Sequence, residues 1–267
     1  MQLKKENKNL LLSKSDIFSQ NGEDGIIAEL FDRIDGNSKI CCEFGAWDGI
    51  HLSNCRNLIL NGWTAVMIEG EIKRFQDLTA NYRDNPSVIC VNKFVDSGHN
   101  SLASILKDNG ISQIDFLSID IDGLDYEIFE TLDVKPKIIC IEVNAGHNPE
   151  NNVRIEREIA KNNVGQSLMI FTEIGESKGY DLICYNGNAF FLRKDIVENS
   201  GLKVLSVKEA YQNFLNDLST KAKEWLYLVN LGKVGPRYRF NNNLLSKESL
   251  GIGTWRSLAL KLSKGRI

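Results

Sequence analysis

The sequence predicts an α/β fold: a mostly parallel sheet with helices on both faces and a helical extension behind it. Three observations carry this expectation. Short apolar runs alternate with longer helix-period segments through the first half of the chain. Those runs are continuously apolar, as in strands buried on both faces, where a half-exposed sheet would alternate. Late in the chain, Asn186-Gly187-Asn188 joins two more strand-like runs, so a tight hairpin is expected to add an antiparallel edge.

The elements follow in order. Residues 25–34 place Ile26, Ile27, Leu30, Phe31 and Ile34 on one helical face. Residues 39–44 form the first expected strand. Residues 53–61 are a helix closed by Gly62 just past its end. A second strand (64–68), a helix (71–82), a third strand (87–92) and a helix ending at Gly110 (101–109) come next. A fourth strand (115–121), a helical stretch (126–132) and a fifth strand (137–143) complete the alternation. After a polar stretch (148–163), residues 166–173 are helical, and the hairpin strands span 180–185 and 189–193. The expected units are an N-terminal segment (1–15), one α/β domain (16–198) and a helical extension (199–267) that reaches an acceptor or a second subunit. The extension ends in a basic tail from Lys233 onward, suited to an anionic acceptor, a membrane surface or an oligomer contact.

Length and composition narrow the class. A chain of 267 residues suffices for one large α/β domain with additions. A net charge of −3 argues against a nucleic-acid binder, which needs a basic surface. The apolar run Leu10-Leu11-Leu12 is too short for a signal-peptide core or a transmembrane segment. The six cysteines show no C-x-x-C spacing, and most fall in or beside core strands, so they read as free thiols of a cytoplasmic protein.

In an open α/β sheet, ligands bind beyond the carboxyl ends of the strands, so the polar residues there matter most. The first strand ends in Glu43-Phe44-Gly45-Ala46-Trp47-Asp48-Gly49. A glycine at this place lets the backbone approach a ligand, and the acid can accept a hydrogen bond from an ammonium group. Glu43 and Asp48 would repel a pyrophosphate, which favours a cationic or zwitterionic cofactor over a dinucleotide. The second strand ends in Glu69-Gly70, where a carboxylate can take both hydroxyls of a ribose. Together the two features point to an adenosine-bearing cofactor. After the fourth strand stands Asp120-Ile121-Asp122-Gly123, with both acids on one face by strand alternation. The fifth strand ends in Glu142-Val143-Asn144, followed by His147. Asp122, Glu142 and Asn144 form an oxygen-rich trio suited to Mg²⁺ or Mn²⁺, unless one acid instead orients the cofactor. His147 could accept a proton near neutral pH.

These motifs, with Phe18-Ser19-Gln20-Asn21-Gly22-Glu23-Asp24-Gly25, Leu52-Ser53-Asn54, Gly62-Trp63 and Ser118 through Tyr126, resemble the FkbM-like branch of class I S-adenosylmethionine-dependent methyltransferases. The resemblance spans about residues 16–195. It implies a Rossmann-like sheet of seven strands with a terminal antiparallel hairpin, and O-methylation, frequently of sugars in surface polysaccharides or natural products. The family's more usual fourth-strand motif has Glu where this chain has Asp122, one methylene shorter.

The expected activity is therefore methyl transfer to a hydroxyl of a sugar-type acceptor, such as a nucleotide-sugar or a capsular polysaccharide component. Gln20, Glu23, Glu43, Gly45, Asp48, Gly49, Glu69, Gly70 and Asp120 are the expected S-adenosylmethionine contacts. Asp122, Glu142 and His147 are the expected groups for proton removal. The alternatives are a phosphate-linked or secondary-metabolite acceptor and a non-catalytic cofactor-binding subunit. A homodimer is a further expectation, served by the extension.

Overall fold

The structure, a computed structural model, describes residues 9–34, 37–96, 98–121, 125–145, 149, 166–218, 223, 239–241 and 244–246. A single 3-10 turn, Leu10–Ser13, leads into α1 (Glu23–Arg33), β1 (Ile40–Phe44), α2 (Arg56–Leu60), β2 (Thr64–Ile68), α3 (Ile72–Tyr82) and β3 (Val88–Val91). Then come α4 (Leu102–Asp108), β4 (Phe116–Ile119), α5 (Asp125–Thr131), β5 (Ile138–Glu142), α6 (Leu168–Ser177), β6 (Tyr180–Tyr185) and β7 (Asn188–Arg193). The last described elements are α7 (Lys194–Ser200), α8 (Val207–Asp217) and two short strands, β8 (Arg239–Asn241) and β9 (Leu244–Ser246).

Seven strands form one sheet in the order β3-β2-β1-β4-β5-β7-β6. The strands β1 to β5 run parallel, and β7 pairs antiparallel with both β5 and β6. The expected sheet with a terminal antiparallel hairpin is thus present. Strand order reverses between β1 and β4: the chain winds outward from β1 to β3, then crosses to the other side. A crevice opens at such a reversal, outside the carboxyl ends of the strands.

Side-chain alternation along each strand feeds two cores. On one face Cys42, Phe44, Val66, Ile68, Leu117, Ile119, Ile139 and Ile141 meet α4, α5, α6 and α8. On the other, Cys41, Ala65, Met67, Phe116, Ile138 and Cys140 meet α1, α2, α3 and α7. Each fully buried Leu, Ile or Phe in these layers contributes about 1.5–3 kcal/mol. The helices start where the sequence supplies acceptors. Ser101 accepts from Ser104 N–H at the start of α4, and Ser206 accepts from Glu209 N–H at the start of α8. Helix α8, although beyond residue 198, buries Val207, Ala210 and Phe214 in the first core.

Two differences from the sequence expectation have local causes. The helix expected over 53–61 is shorter, Arg56–Leu60, because Ser53 and Asn54 turn aside to bond Glu43. The C-terminal extension, expected to be helical throughout, contains the β8–β9 pair as well as α8. No described helix is long and apolar enough to cross a membrane.

Candidate active site

The crevice at the strand reversal is built first by the loop after β1. Gly45 has φ +64°, and a Cβ there would stand 2.0 Å from the Asp120 carbonyl oxygen. Only a glycine lets the ends of β1 and β4 come this close. Ala46 N–H donates to Ile68 O at 3.1 Å, which ties the loop to the end of β2. Trp47 follows with φ +51°.

Glu69, at the end of β2, is buried and holds this loop. Its carboxylate accepts from Trp47 N–H at 2.9 Å and from Glu71 N–H at 2.8 Å. Asn92 Nδ2 donates to Glu69 O at 2.7 Å, which joins the end of β3 to the same corner. Around Glu69-Gly70 stand three exposed apolar side chains: Trp47 at 36% exposure, Ile72 at 57% and Phe94 at 73%. Gly70 lies against the Phe94 ring, where a Cβ would come within 2.3 Å of it. Exposed rings beside a carboxylate present one apolar and one hydrogen-bonding wall, which suits a planar base joined to a ribose.

Glu43, on β1, is buried in a polar row beneath the crevice. Its carboxylate accepts from Ser53 Oγ at 2.5 Å, Asn54 N–H at 2.9 Å and Cys55 N–H at 3.3 Å. Strand register sets Glu43, Ser118 and Cys140 abreast on one face. Asn54 bridges that row, donating from Nδ2 to Ser118 Oγ at 3.0 Å and toward Cys140 Sγ at 3.8 Å. Burial pushes the Cys140 thiol well above its ordinary range, and the charges of Glu23, Asp120 and Glu43 push it further. These three expected cofactor residues therefore converge around one thiol.

The segment before α1 forms a strap held down by the two acids that open that helix. Asp24 accepts with one oxygen from the N–H groups of Ile17, Phe18 and Ser19, at 2.9, 2.7 and 2.9 Å. Glu23, fully buried, accepts from Gln20 N–H at 3.2 Å and Asn21 N–H at 2.7 Å with one oxygen. Its other oxygen accepts from Asn186 Nδ2 and Asn188 Nδ2, both at 3.1 Å. Burial raises the Glu23 carboxyl above the ordinary value, and its backbone hydrogen bonds act against that. Gln20 is buried, yet its side-chain carbonyl Oε1 makes no hydrogen bond among the described residues. A buried unsatisfied acceptor is costly, and a ligand donor would relieve it.

The remaining expected residues fall as follows. Asp48 works within its own loop: it accepts from Ile50 N–H and His51 N–H, both at 2.9 Å, and contacts His51 Nδ1 at 2.5 Å. Partial burial works to raise its carboxyl, but the His51 ring and these N–H groups hold it below the ordinary value. Gly49, φ +74°, makes room for Tyr82 and Leu78, and Tyr82 Oη donates to Gly49 O at 2.5 Å. Glu142 ends β5, and Asn144 is buried two residues on, its N–H donating to Gln166 O at 3.3 Å. Asp122 and His147 lie outside the described residues. Among the described residues no three His, Cys, Asp or Glu side chains are grouped to hold a metal ion.

Sequence reasoning passed over Phe94, and it named Asn54, Asn186 and Asn188 without the contacts they make. The Asn-Gly-Asn signal reads as a hairpin turn, and it is one. Its two amides also bond Glu23, more than 160 positions away, which no local pattern reveals.

A comparison with curated proteins finds no match. Solved structures with a similar fold include a chain of the fibrillarin/Nop5p complex, 16% identical over 57% of this chain and 70% of that one, with a TM-score of 0.37. A precorrin-6y C5,15-methyltransferase from Geobacter metallireducens GS-15 is 14% identical over 67% of this chain and 89% of its own, TM-score 0.38. A Podospora anserina methyltransferase, PaMTH1, with S-adenosylhomocysteine bound, is 12% identical over 58% and 71%, TM-score 0.38. These likenesses are loose and concern the fold alone. Residues 95–182, which include α4, β4, α5, β5 and α6, match the model of the methyltransferase FkbM domain. The family resemblance read from the motifs is thus matched across β4 and β5, and this stretch of the chain is similar to the methyltransferase FkbM domain.

Proposed function

We propose that this chain is an S-adenosylmethionine-dependent O-methyltransferase acting on a hydroxyl of a sugar, carried by a nucleotide or by a surface polysaccharide component. The observation that carries the cofactor half of this reading is the crevice at the strand reversal. Glu23, Glu43 and Asp120 gather around Cys140 there, and Gln20, whose N–H bonds Glu23, has an unpartnered buried carbonyl. Such a site suits the ammonium and sulfonium charges of S-adenosylmethionine and disfavours a pyrophosphate.

The residues present fit that cofactor. Gly45 lets the ends of β1 and β4 close up beneath the crevice, and Glu69 has the position for a ribose. Trp47, Ile72 and Phe94 offer an apolar seat for a base, and Gln20 an acceptor for an ammonium group. When bound, S-adenosylmethionine supplies a methyl group on an activated leaving group. The chain is left to align the acceptor and to take its hydroxyl proton. Asp122, Glu142 and His147 are proposed for that proton, with a Mg²⁺ or Mn²⁺ ion on Asp122, Glu142 and Asn144 as the variant of the same proposal. The sugar rests on the family resemblance alone.

The test is transfer of labelled methyl from S-adenosylmethionine to a panel of nucleotide-sugars and polysaccharide fragments, with and without Mg²⁺. Label in a sugar ether supports the reading. Label only in a phosphate-linked or secondary-metabolite acceptor moves it to that class, and binding without turnover on any acceptor moves it to a cofactor-binding subunit.

A further inference from the structure

A cavity of about 230 Å³ lies between α1 and α2. Helical spacing puts Asp24, Ile27, Ala28 and Phe31 on one face of α1, and that face forms one wall. Asn54, Asn57, Leu58 and Asn61 form the other. Trp63 completes the lining and lies against Phe31, edge to face, with ring centroids 4.5 Å apart. Ile27, Leu58 and Trp63 are buried and make an apolar floor, whereas Ala28 and Asn61 are exposed and stand at the mouth.

The polar groups of this cavity are acceptors in want of donors. Asp24 is 2% exposed, and one of its oxygens, Oδ2, takes the three N–H groups of the strap. Its other oxygen, Oδ1, is buried and has no hydrogen-bond partner. A buried carboxylate oxygen left in this way is costly and calls for a donor. Asn54 directs its Nδ2 to Ser118 and Cys140, which leaves its side-chain oxygen for another donor. Asn61 turns its Nδ2 back onto Asn57.

We infer that this cavity binds a small primary amine that carries one apolar ring. An ammonium group brings several donors and a positive charge, which answers oxygen acceptors of which one belongs to a carboxylate. An anionic ligand would meet Asp24 with like charge, and a wholly apolar one would leave Oδ1 unanswered. The ring rests on Ile27, Leu58 and the Phe31–Trp63 pair, whose edges and faces suit another ring. The size agrees, since the volume falls below the roughly 300–1,000 Å³ of sites for drug-sized ligands. None of the residues that line the cavity is among those proposed for S-adenosylmethionine, so the inference stands apart from that reading.

Calorimetric titration of the full chain with 2-phenylethylamine tests it, with 2-phenylethanol and phenylacetate as matched ligands that differ in the head group. The amine is expected to bind about tenfold or more tightly than the alcohol, and phenylacetate not at all. Asp24→Asn can set its one side-chain oxygen on the strap N–H groups and its NH₂ in place of Oδ1. The strap then stays in place, and the amine is expected to lose about tenfold in affinity. Ala28→Phe, at an exposed position, is expected to block the mouth and abolish binding in a protein that still unfolds cooperatively. Amine binding that S-adenosylhomocysteine displaces overturns the inference, because the cavity then belongs to the cofactor. Binding unchanged by Ala28→Phe also overturns it and sets the amine elsewhere. Failure of all three ligands to bind a folded sample overturns it too, and assigns the Asp24 oxygen to a water molecule.

Discussion

A Cβ placed on Gly45 would lie 2.0 Å from the carbonyl oxygen of Asp120, so one hydrogen atom's width fixes how closely β1 and β4 approach at the crevice. The contact is to backbone, which cannot swing away as a side chain could. Gly45→Ala therefore pays twice, for a left-handed φ and for a forced separation of two central strands. A loss of about 2–4 kcal/mol is expected, read by urea denaturation. Gly62→Ala is the control: its φ is +82° but nothing lies within 4 Å, so a loss nearer 1 kcal/mol is expected.

Asn54 links the row beneath the crevice to the loop above it. Asn54→Ala removes the donor to Ser118 and leaves that buried hydroxyl short of a partner. A loss of about 1–3 kcal/mol is expected. Glu43 should keep its place in the variant, because the residue-54 backbone N–H that it accepts from is retained.

Glu23 gives the strap a pH dependence whose sign follows from its burial. Desolvation raises its folded-state value above the ordinary 4.5, so the folded protein binds its proton more readily than the unfolded chain does. Its contribution to stability is fully present below the unfolded value and is lost as pH rises through the raised folded value. Asp16, Cys140 and Cys184 are the titratable groups near it. Glu23→Gln should remove this component and add a pH-independent loss, since its amide N–H would face the N–H donors of Gln20 and Asn21. Denaturation of both proteins from about pH 4 to 8 measures it: the stability difference, native minus variant, should shrink as pH rises.

Lys14 and Asp217 join the strap to α8 at 2.6 Å, across 203 positions, with both side chains about one-third exposed. Such a pair is worth about 0–1 kcal/mol. Lys14→Ala should therefore change the denaturation midpoint little, and a double-mutant cycle with Asp217→Ala should find a coupling within that range.

The thiols offer a separate check on the cores. Burial pushes the Cys42, Cys55 and Cys140 thiols well above their ordinary range and Cys184 up to about 12. In the native protein a thiol reagent should modify Cys90 fast and the others only as the fold opens.

The strands were legible because a parallel sheet covered on both faces leaves uninterrupted apolar runs; β1, β2 and β5 fall within a residue or two of where their runs predict. Helix ends were less legible where a side chain far along the chain decides them, as Glu43 does for α2. At the site, the residues on strand ends, Glu43, Gly45 and Glu69, could be placed from topology alone. Their partners could not. Glu23 reaches Asn186 and Asn188, and Gly70 reaches Phe94, through packing that no spacing encodes. Trp47 was visible in its motif, but its exposure follows from a left-handed backbone that the sequence does not announce.

The most direct test of the cofactor reading is calorimetric titration of the purified chain with S-adenosylhomocysteine, with NADH as control ligand. With acids gathered around Cys140 and an unpartnered buried Gln20 carbonyl, the chain should bind S-adenosylhomocysteine and not NADH, and Gln20→Ala should weaken that binding about tenfold, the worth of one buried hydrogen bond. Binding of NADH instead, or of neither ligand by a well-folded sample, would contradict it.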